Sequence, residues 1–401
     1  MKSIIYVDIS ALYANDLRTG IQRVVRSILQ ELFENISNAY CVMPVYFQPN
    51  EVGYYFAASH VPDFVEAKQY PESGAIIDPR SGDIFLGLDL HHSAIIQSKE
   101  VGLYQLWVSR GVNIHFIVYD LLPVLHPSVF PPGIEELHRE WLKAIASVAH
   151  SLIAISNSVQ EELRVWLKKS GAMRKSLTLS YFHLGGDILS SLPTVGLPQN
   201  YPVVIDRIDE CPSFLMVGTI EPRKGHLQVL NAFEQLWAKG AVLNLVIVGH
   251  EGWQEYKHEE RGTIPQIVTT LKTHKELGRR LFWLDGISDE YLSKVYGVSA
   301  CHISASLGEG FGLPLIESAK HNLPILARDI PVFRELCGDS ALFFEDGYDD
   351  NVLVVAIERW LVLYYQGVEP KSETLKWLTW HQSAQQLMEL IKVSVGCSYE
   401  S

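Results

Sequence analysis

Short runs of Ile, Val and Leu alternate with longer amphipathic stretches along most of this chain, and that alternation leaves little freedom of fold. The runs "SIIYVDIS", "CVMPVYF", "DIFLGLDL", "NIHFIVYD" and "SLIAIS" are apolar almost throughout, as strands buried on both faces are. Helix-like periodicity over 21–34, 134–149 and 157–168 lies between several of them. Strands that alternate with helices predict a parallel sheet covered on both sides.

A segment with four prolines, "SSLPTVGLPQNYPVVIDRIDECPS" (190–213), breaks the rhythm and reads as a linker or edge segment. The alternation then restarts: "SFLMVGTI", "LNLVIVGH", "LFWLDG", "ACHISAS", "LPILAR" and "ALFFE" predict strands. Helices are expected over 225–238, 264–277, 288–298 and 314–321. The chain's 401 residues exceed the roughly 250–300 at which single cores stop growing. The expectation is therefore two doubly wound α/β domains, residues 1–205 and 206–376. A final helical pattern, about 377–395, either caps the second domain or crosses back to the first.

Charge and cysteine usage narrow the function. A formal net charge of −13 opposes general binding to a phosphate backbone, so no nucleic-acid partner is expected. The five cysteines never fall into a CxxC spacing, which favours reduced thiols over a disulfide framework or a zinc knuckle. The opening "MKSIIYVDIS" has too short an apolar run for a signal peptide, and no run approaches the ~20 apolar residues of a membrane span. This reads as a soluble cytoplasmic protein. A local patch near 134–149 leaves room for peripheral contact with the inner face of the membrane.

Four stretches at expected strand ends carry the chemistry, since ligands of open α/β sheets bind beyond the carboxyl ends of the strands. In "VGTIEPRKG" (217–225), a strand runs through Thr219 into a turn bearing Arg223 and Lys224, read as opening a helix. Two cations at an already positive helix start suit a docked diphosphate. In "SLGEGFGLPLIES" (306–318), a glycine loop leads into a helix whose free N–H groups can meet an anion. Glu309 stands before that helix and Glu317 about one turn into it. Eight helical residues span about 12 Å, against roughly 5–9.5 Å for glycosidase carboxylates. A folded-back loop would close that gap, but the simpler assignment gives the two acids different groups of one long ligand: ribose hydroxyls at Glu317 and sugar hydroxyls at Glu309. The third stretch, "DISALYANDLRTGIQRVVRSIL" (8–29), is a strand, a loop with Gly20 and a helix bearing Arg23, an anion site in outline. The fourth, "HFIVYDLLPVLHPSVFPPG" (115–133), puts Tyr119 and Asp120 at a strand end before a proline-punctuated loop suited to an acceptor. By contrast, "DLHH" (89–92) is poorly spaced for one metal, and His302 reads as core.

Together these stretches resemble the retaining glycosyltransferases of family 4, which have the GT-B fold of two facing Rossmann-like domains and an interdomain cleft. The glutamate-bearing stretch through "ALFFE" is similar to that family's second-domain motif. "VGTIEPRKG" and "LRTGIQRVVRSIL" resemble a subgroup that includes bacterial polysaccharide mannosyltransferases. The resemblance implies that Glu317 holds the nucleotide ribose. It places Glu309 and the backbone around Phe311, Gly312 and Leu313 on the donor sugar. Arg223 and Lys224 would hold the diphosphate, with Gly20 against it. It also implies that no bound metal is needed and that the terminal helix crosses back. Two positions depart from the pattern: Thr219 stands where many relatives have Arg, and Tyr119 where many have His.

The expected activity is transfer of a hexose, with retention, from a nucleotide sugar to a growing cell-surface or lipid-linked glycan. GDP-mannose is the favoured donor, with GDP- or dTDP-linked rhamnose and UDP-sugars behind it. An epimerase or hydrolase of the same fold, and a non-catalytic nucleotide-sugar-binding partner, are the rival readings.

Overall fold

A computed structural model describes residues 2–16, 19–35, 40–65, 70–187 and 193–396. The chain divides into two compact units. The first comprises Met1–Val124, Glu135–Ser191 and Leu378–Ser401; the second comprises Leu125–Ile134 and Leu192–Trp377. The division thus falls earlier than the expected 205/206. Part of the proline-punctuated loop, from Leu125, groups with the second unit.

In the first unit, β1 (Ile4–Asp8), β2 (Cys41–Gln48), β3 (Gly53–Phe56), β4 (Ile84–Gly87), β5 (Asn113–Val118), β6 (Ser151–Ala154) and β7 (Thr178–Tyr181) form one sheet. Its order is β3-β2-β1-β4-β5-β6-β7. All neighbours are parallel except β2 and β3. The expected apolar runs supply β1, β2, β4, β5 and β6, whose residues are buried almost throughout. Short β3 and β7 went unread because neither carries a long aliphatic run. The chain leaves β1 for β2 on one side and returns for β4 on the other, so the sheet reverses direction between β1 and β4.

The second unit repeats the plan with β8 (Ser213–Val217), β9 (Asn244–Val248), β10 (Leu281–Leu284), β11 (Cys301–Ser304), β12 (Ile325–Arg328) and β13 (Leu342–Phe344). This sheet is parallel throughout, in the order β10-β9-β8-β11-β12-β13, and reverses between β8 and β11. Phe214, Phe233 and the fully buried Trp360 pack edge to face in its core.

Two expectations need correction. The segment 190–213 is not all linker: Tyr201–Asp209 is a helix, because its Pro202 sits in the first turn, where a missing N–H costs nothing. The 17-residue helix Asp350–Gln366, capped by the Asp349 side chain, was not among the expected helices.

The terminal helix Trp380–Gly396 belongs to the first unit and packs on helix Gly20–Asn35. Backbone contact fixes its start. The Gly186 N–H donates to the Leu378 carbonyl at 2.8 Å, and the Trp380 N–H donates to Asp187 Oδ1 at 2.6 Å. Gly185 lies so close that a Cβ there would stand 2.5 Å from the Trp380 nitrogen. Gly185→Ala is therefore expected to destabilise the protein by about 1–3 kcal/mol. Urea unfolding checks this, and an unchanged midpoint would refute this account of the tail.

Candidate functional site

The reversal point of the second sheet brings two of the predicted stretches together. Beyond β8, Gly218 takes a left-handed φ of 145°, and Pro222–Lys224 forms a single 3₁₀ turn. The α-helix begins only at His226, after Gly225 at φ 78°. Arg223 and Lys224 therefore do not open that helix, as the sequence suggested, but occupy a separate turn before it. Beyond β11, the loop runs to Gly312 (φ 109°), which caps helix Leu313–Lys320.

Backbone contacts join turn and loop. The Leu307 N–H donates to the Arg223 carbonyl at 2.8 Å. A Cβ on Gly225 would lie 2.4 Å from the Ala305 oxygen, so only glycine permits this approach.

The side chains then converge on one carboxylate. Lys224 Nζ lies 2.5 Å from Glu309 Oε1, and Arg223 Nη1 lies 3.2 Å from Oε2. The Ser306 hydroxyl donates to Oε1 at 2.7 Å, and Arg223 Nε reaches Glu221 at 2.8 Å. The Glu309 side chain is 13% exposed, so neither charge is well screened by water. Burial pushes the Glu309 carboxyl up, but Lys224, then Arg223, then the hydrogen bonds more than offset it and hold it at about 2. Burial, and next the charge of Lys224, push both His226 and His302 down to about 3. They add no positive charge at neutral pH, and His302 is core, as expected. The cluster thus holds two cations and two carboxylates.

Glu317 is buried on helix Leu313–Lys320 and accepts from the Tyr296 hydroxyl at 2.9 Å. Tyr296 stacks on His321, with ring centroids 5.0 Å apart and planes 5° apart. Phe311 is buried, Leu313 is partly exposed in the first turn of the helix, and Thr219 is exposed.

Sequence reasoning missed Arg328, which is fully buried at the end of β12. Its guanidinium donates to the Ala305 carbonyl (3.1 Å), Gln228 (2.5 Å), Asp346 (3.1 Å) and the Gly347 carbonyl (2.6 Å). It fixes the start of the glutamate loop against three other segments. A charged residue ending the apolar run "LPILAR" was the available signal.

The remaining predicted residues lie in the first unit. Exposed Gly20 starts its helix behind a reciprocal cap: the Gln22 N–H donates to Thr19 Oγ1 (3.3 Å), and the Thr19 N–H to Gln22 Oε1 (3.2 Å). The spacing T-G-I-Q carries that signal. Arg23 follows, partly buried on the same helix. Tyr119 is buried, and its hydroxyl donates to the Leu88 carbonyl at 2.7 Å. It braces β5 against the segment leaving β4. The Asp120 carboxylate accepts the Leu122 N–H at 3.0 Å. Nearby Glu162, also missed, is pushed up to about 7 by burial and then by the charge of Asp120.

Among the described residues, no group of three or more His, Cys, Asp or Glu could hold a metal ion, and four cysteines are free thiols. Cys397 lies outside the described residues. No described helix is long and apolar enough to cross a membrane.

Comparison with known proteins agrees with this architecture. The profile of the family described as "Glycosyl transferases group 1" matches residues 202–367. The chain is 39% identical over 393 residues to the serotype-specific mannosyltransferase WbdA of Escherichia coli. That match covers 96% of this chain and 46% of WbdA, so the chain spans about half the length of this relative. Anabaena HepE, solved with UDP and glucose, has the same fold with TM-score 0.61 and 14% identity, covering 98% of this chain and 100% of that one. The catalytic domain of Arabidopsis thaliana starch synthase IV, bound to ADP and acarbose, gives 0.62 at 13% identity, covering 98% and 99%.

The sign of the Glu309 effect on stability follows from its lowered value. Its stabilisation is present above the ordinary carboxyl value of 4.5 and is lost as pH falls toward about 2. Urea unfolding across that range should show a shallower acid loss in Glu309→Gln than in the wild type. Equal slopes would refute the ion-pair account.

Proposed function

Taking as premise that the chain has the GT-B architecture and resembles bacterial polysaccharide mannosyltransferases, we propose that it is a retaining, nucleotide-sugar-dependent glycosyltransferase. It moves a hexose onto a growing polysaccharide or lipid-linked glycan. Mannose from GDP-mannose is the favoured donor, because the matched Escherichia coli relative is a mannosyltransferase.

One observation carries this reading: Arg223, Lys224 and Glu309 meet at the reversal point of a parallel sheet, beside a glycine-capped helix start. That is where open α/β sheets bind nucleotides and anions. In the mechanism, the sugar–phosphate bond breaks, the anomeric carbon becomes cationic and the diphosphate gains negative charge. Arg223 supplies a planar donor fork and Lys224 a point charge to that leaving group. Because both are already in place, little reorganisation is needed as the charge develops. Glu309 yields its contacts on these cations to the incoming phosphate and accepts from donor-sugar hydroxyls. Glu317 accepts from the ribose, and the backbone from Phe311 to Leu313 lines the sugar. The acceptor hydroxyl attacks from the face the diphosphate leaves, and the departing phosphate oxygen takes its proton. In the first unit, Gly20 and Arg23 present a helix start and a cation, and Asp120 stands on the acceptor side.

Lys224→Ala and Arg223→Ala are each expected to lower turnover about 10²–10³-fold. Transfer assays with radiolabelled donor check this, and normal rates in both would remove the phosphate role. Among GDP, UDP, dTDP and ADP in a thermal-shift panel, GDP is expected to stabilise most. A ligand at about a hundredfold excess over its Kd adds about 2.7 kcal/mol. A larger shift with UDP or dTDP would redirect the donor assignment. Stabilisation by none of the four would overturn the reading.

A further inference from the structure

Two histidines outside the donor cluster meet where β4 and β5 end in the first unit. His92 begins helix His92–Glu100, and His138 lies buried on helix Ile134–Val148. His92 Nε2 is 2.9 Å from His138 Nδ1, and His138 Nε2 is 3.2 Å from the backbone carbonyl of Asp120. Trp141 closes the group, with ring centroids 5.7 Å from His92 and 5.0 Å from His138.

The carbonyl gives this chain a direction. A carbonyl oxygen only accepts, so His138 must carry its proton on Nε2. Burial above all lowers His138 to about 4 and His92 to about 3, so both rings are neutral near pH 7. His138 Nδ1 is then a bare acceptor, and His92 must donate to it from Nε2. What remains is a lone pair on His92 Nδ1, which has no hydrogen-bond partner among the described residues. His92 is partly exposed, whereas the neighbouring His91 uses its own Nδ1 to cap the helix, accepting from the Ala94 N–H. Asp120, whose carbonyl holds His138, adds a carboxylate to this strand end. A set of acceptors at a sheet's carboxyl edge suits a ligand rich in O–H donors.

We propose that His92 is an acceptor-side binding residue whose Nδ1 takes a hydrogen bond from a hydroxyl of the acceptor glycan, with His138 as its positioning residue. This rests on the glycosyltransferase reading above.

The test uses the full chain labelled with ¹⁵N and α-mannotriose as the probe. Long-range ¹H–¹⁵N spectra near pH 7 are expected to show both rings protonated on Nε2. The His92 Nδ1 resonance is expected to move when the trisaccharide is added. His92→Phe is expected to raise the acceptor KM about tenfold with kcat and nucleotide affinity little changed. His92→Asn, whose amide oxygen falls near the place of Nδ1, should recover part of that loss. A proton on His92 Nδ1, an unmoved resonance at saturating trisaccharide, or an unaltered KM in His92→Phe would each overturn the proposal. Should that variant fail to fold, the wild-type titration decides alone. A chain whose His92 responds to trisaccharide but which binds no nucleotide would refute the glycosyltransferase reading and leave this contact standing.

Discussion

Glu309 is the carboxylate on which the second unit's site is assembled, because it neutralises two cations that would otherwise repel one another across a single 3₁₀ turn. Adjacent like charges in a partly buried setting are costly unless a counter-charge is fixed between them. Here Lys224 and Arg223 each take one oxygen of the same carboxylate, and Glu221 takes the other edge of the guanidinium. Two positive and two negative groups leave the cluster with no net charge. The two carboxylates hold both cations in fixed positions, and orientation in advance is what makes fixed charges effective.

That arrangement depends on rigid backbone beneath it. Gly225 lets the turn lie against the Ala305 carbonyl, and the buried Arg328 donates to the same carbonyl. The Ala305 oxygen is thus a shared reference point for the cationic turn and the glutamate loop. The strand order supplies the rest: β8 and β11 are neighbours although β9 and β10 intervene in sequence. Both connections leave from carboxyl ends, so the turn and the loop emerge side by side. A carboxylate and two cations some 85 residues apart become partners through topology.

Much of this was legible beforehand, and the reasons are particular. Runs such as "NIHFIVYD" and "LNLVIVGH" are too uniformly apolar to be anything but strands buried on both faces, and they appear as β5 and β9. The glycines and proline of "GEGFGLP" marked a loop turning into a helix, which begins at Leu313. Other features stayed hidden where local pattern and long-range packing diverge. Prolines suggested a linker over 190–213, yet one of them starts helix Tyr201–Asp209. Tyr119 looked like a substrate contact by its place at a strand end. Its hydroxyl is held by the Leu88 carbonyl, a partner 31 positions away. "DLHH" read as too poorly spaced for a metal, but nothing local showed that His92 pairs with His138, 46 positions distant.

The order of residues by itself determined the two-fold succession of strands and helices, the positions of the glycine turns and the residue types at the strand ends. Those features follow from solvent exclusion and backbone sterics, which act over a few neighbouring positions. Only the tertiary structure decided that Glu309 neutralises Lys224 and Arg223, that Arg328 braces Ala305, and that the terminal helix packs with the first unit. Hydrogen bonds and ion pairs act over about 3 Å, so which groups form them depends on strand order and packing, and neither is written in any local stretch of the chain.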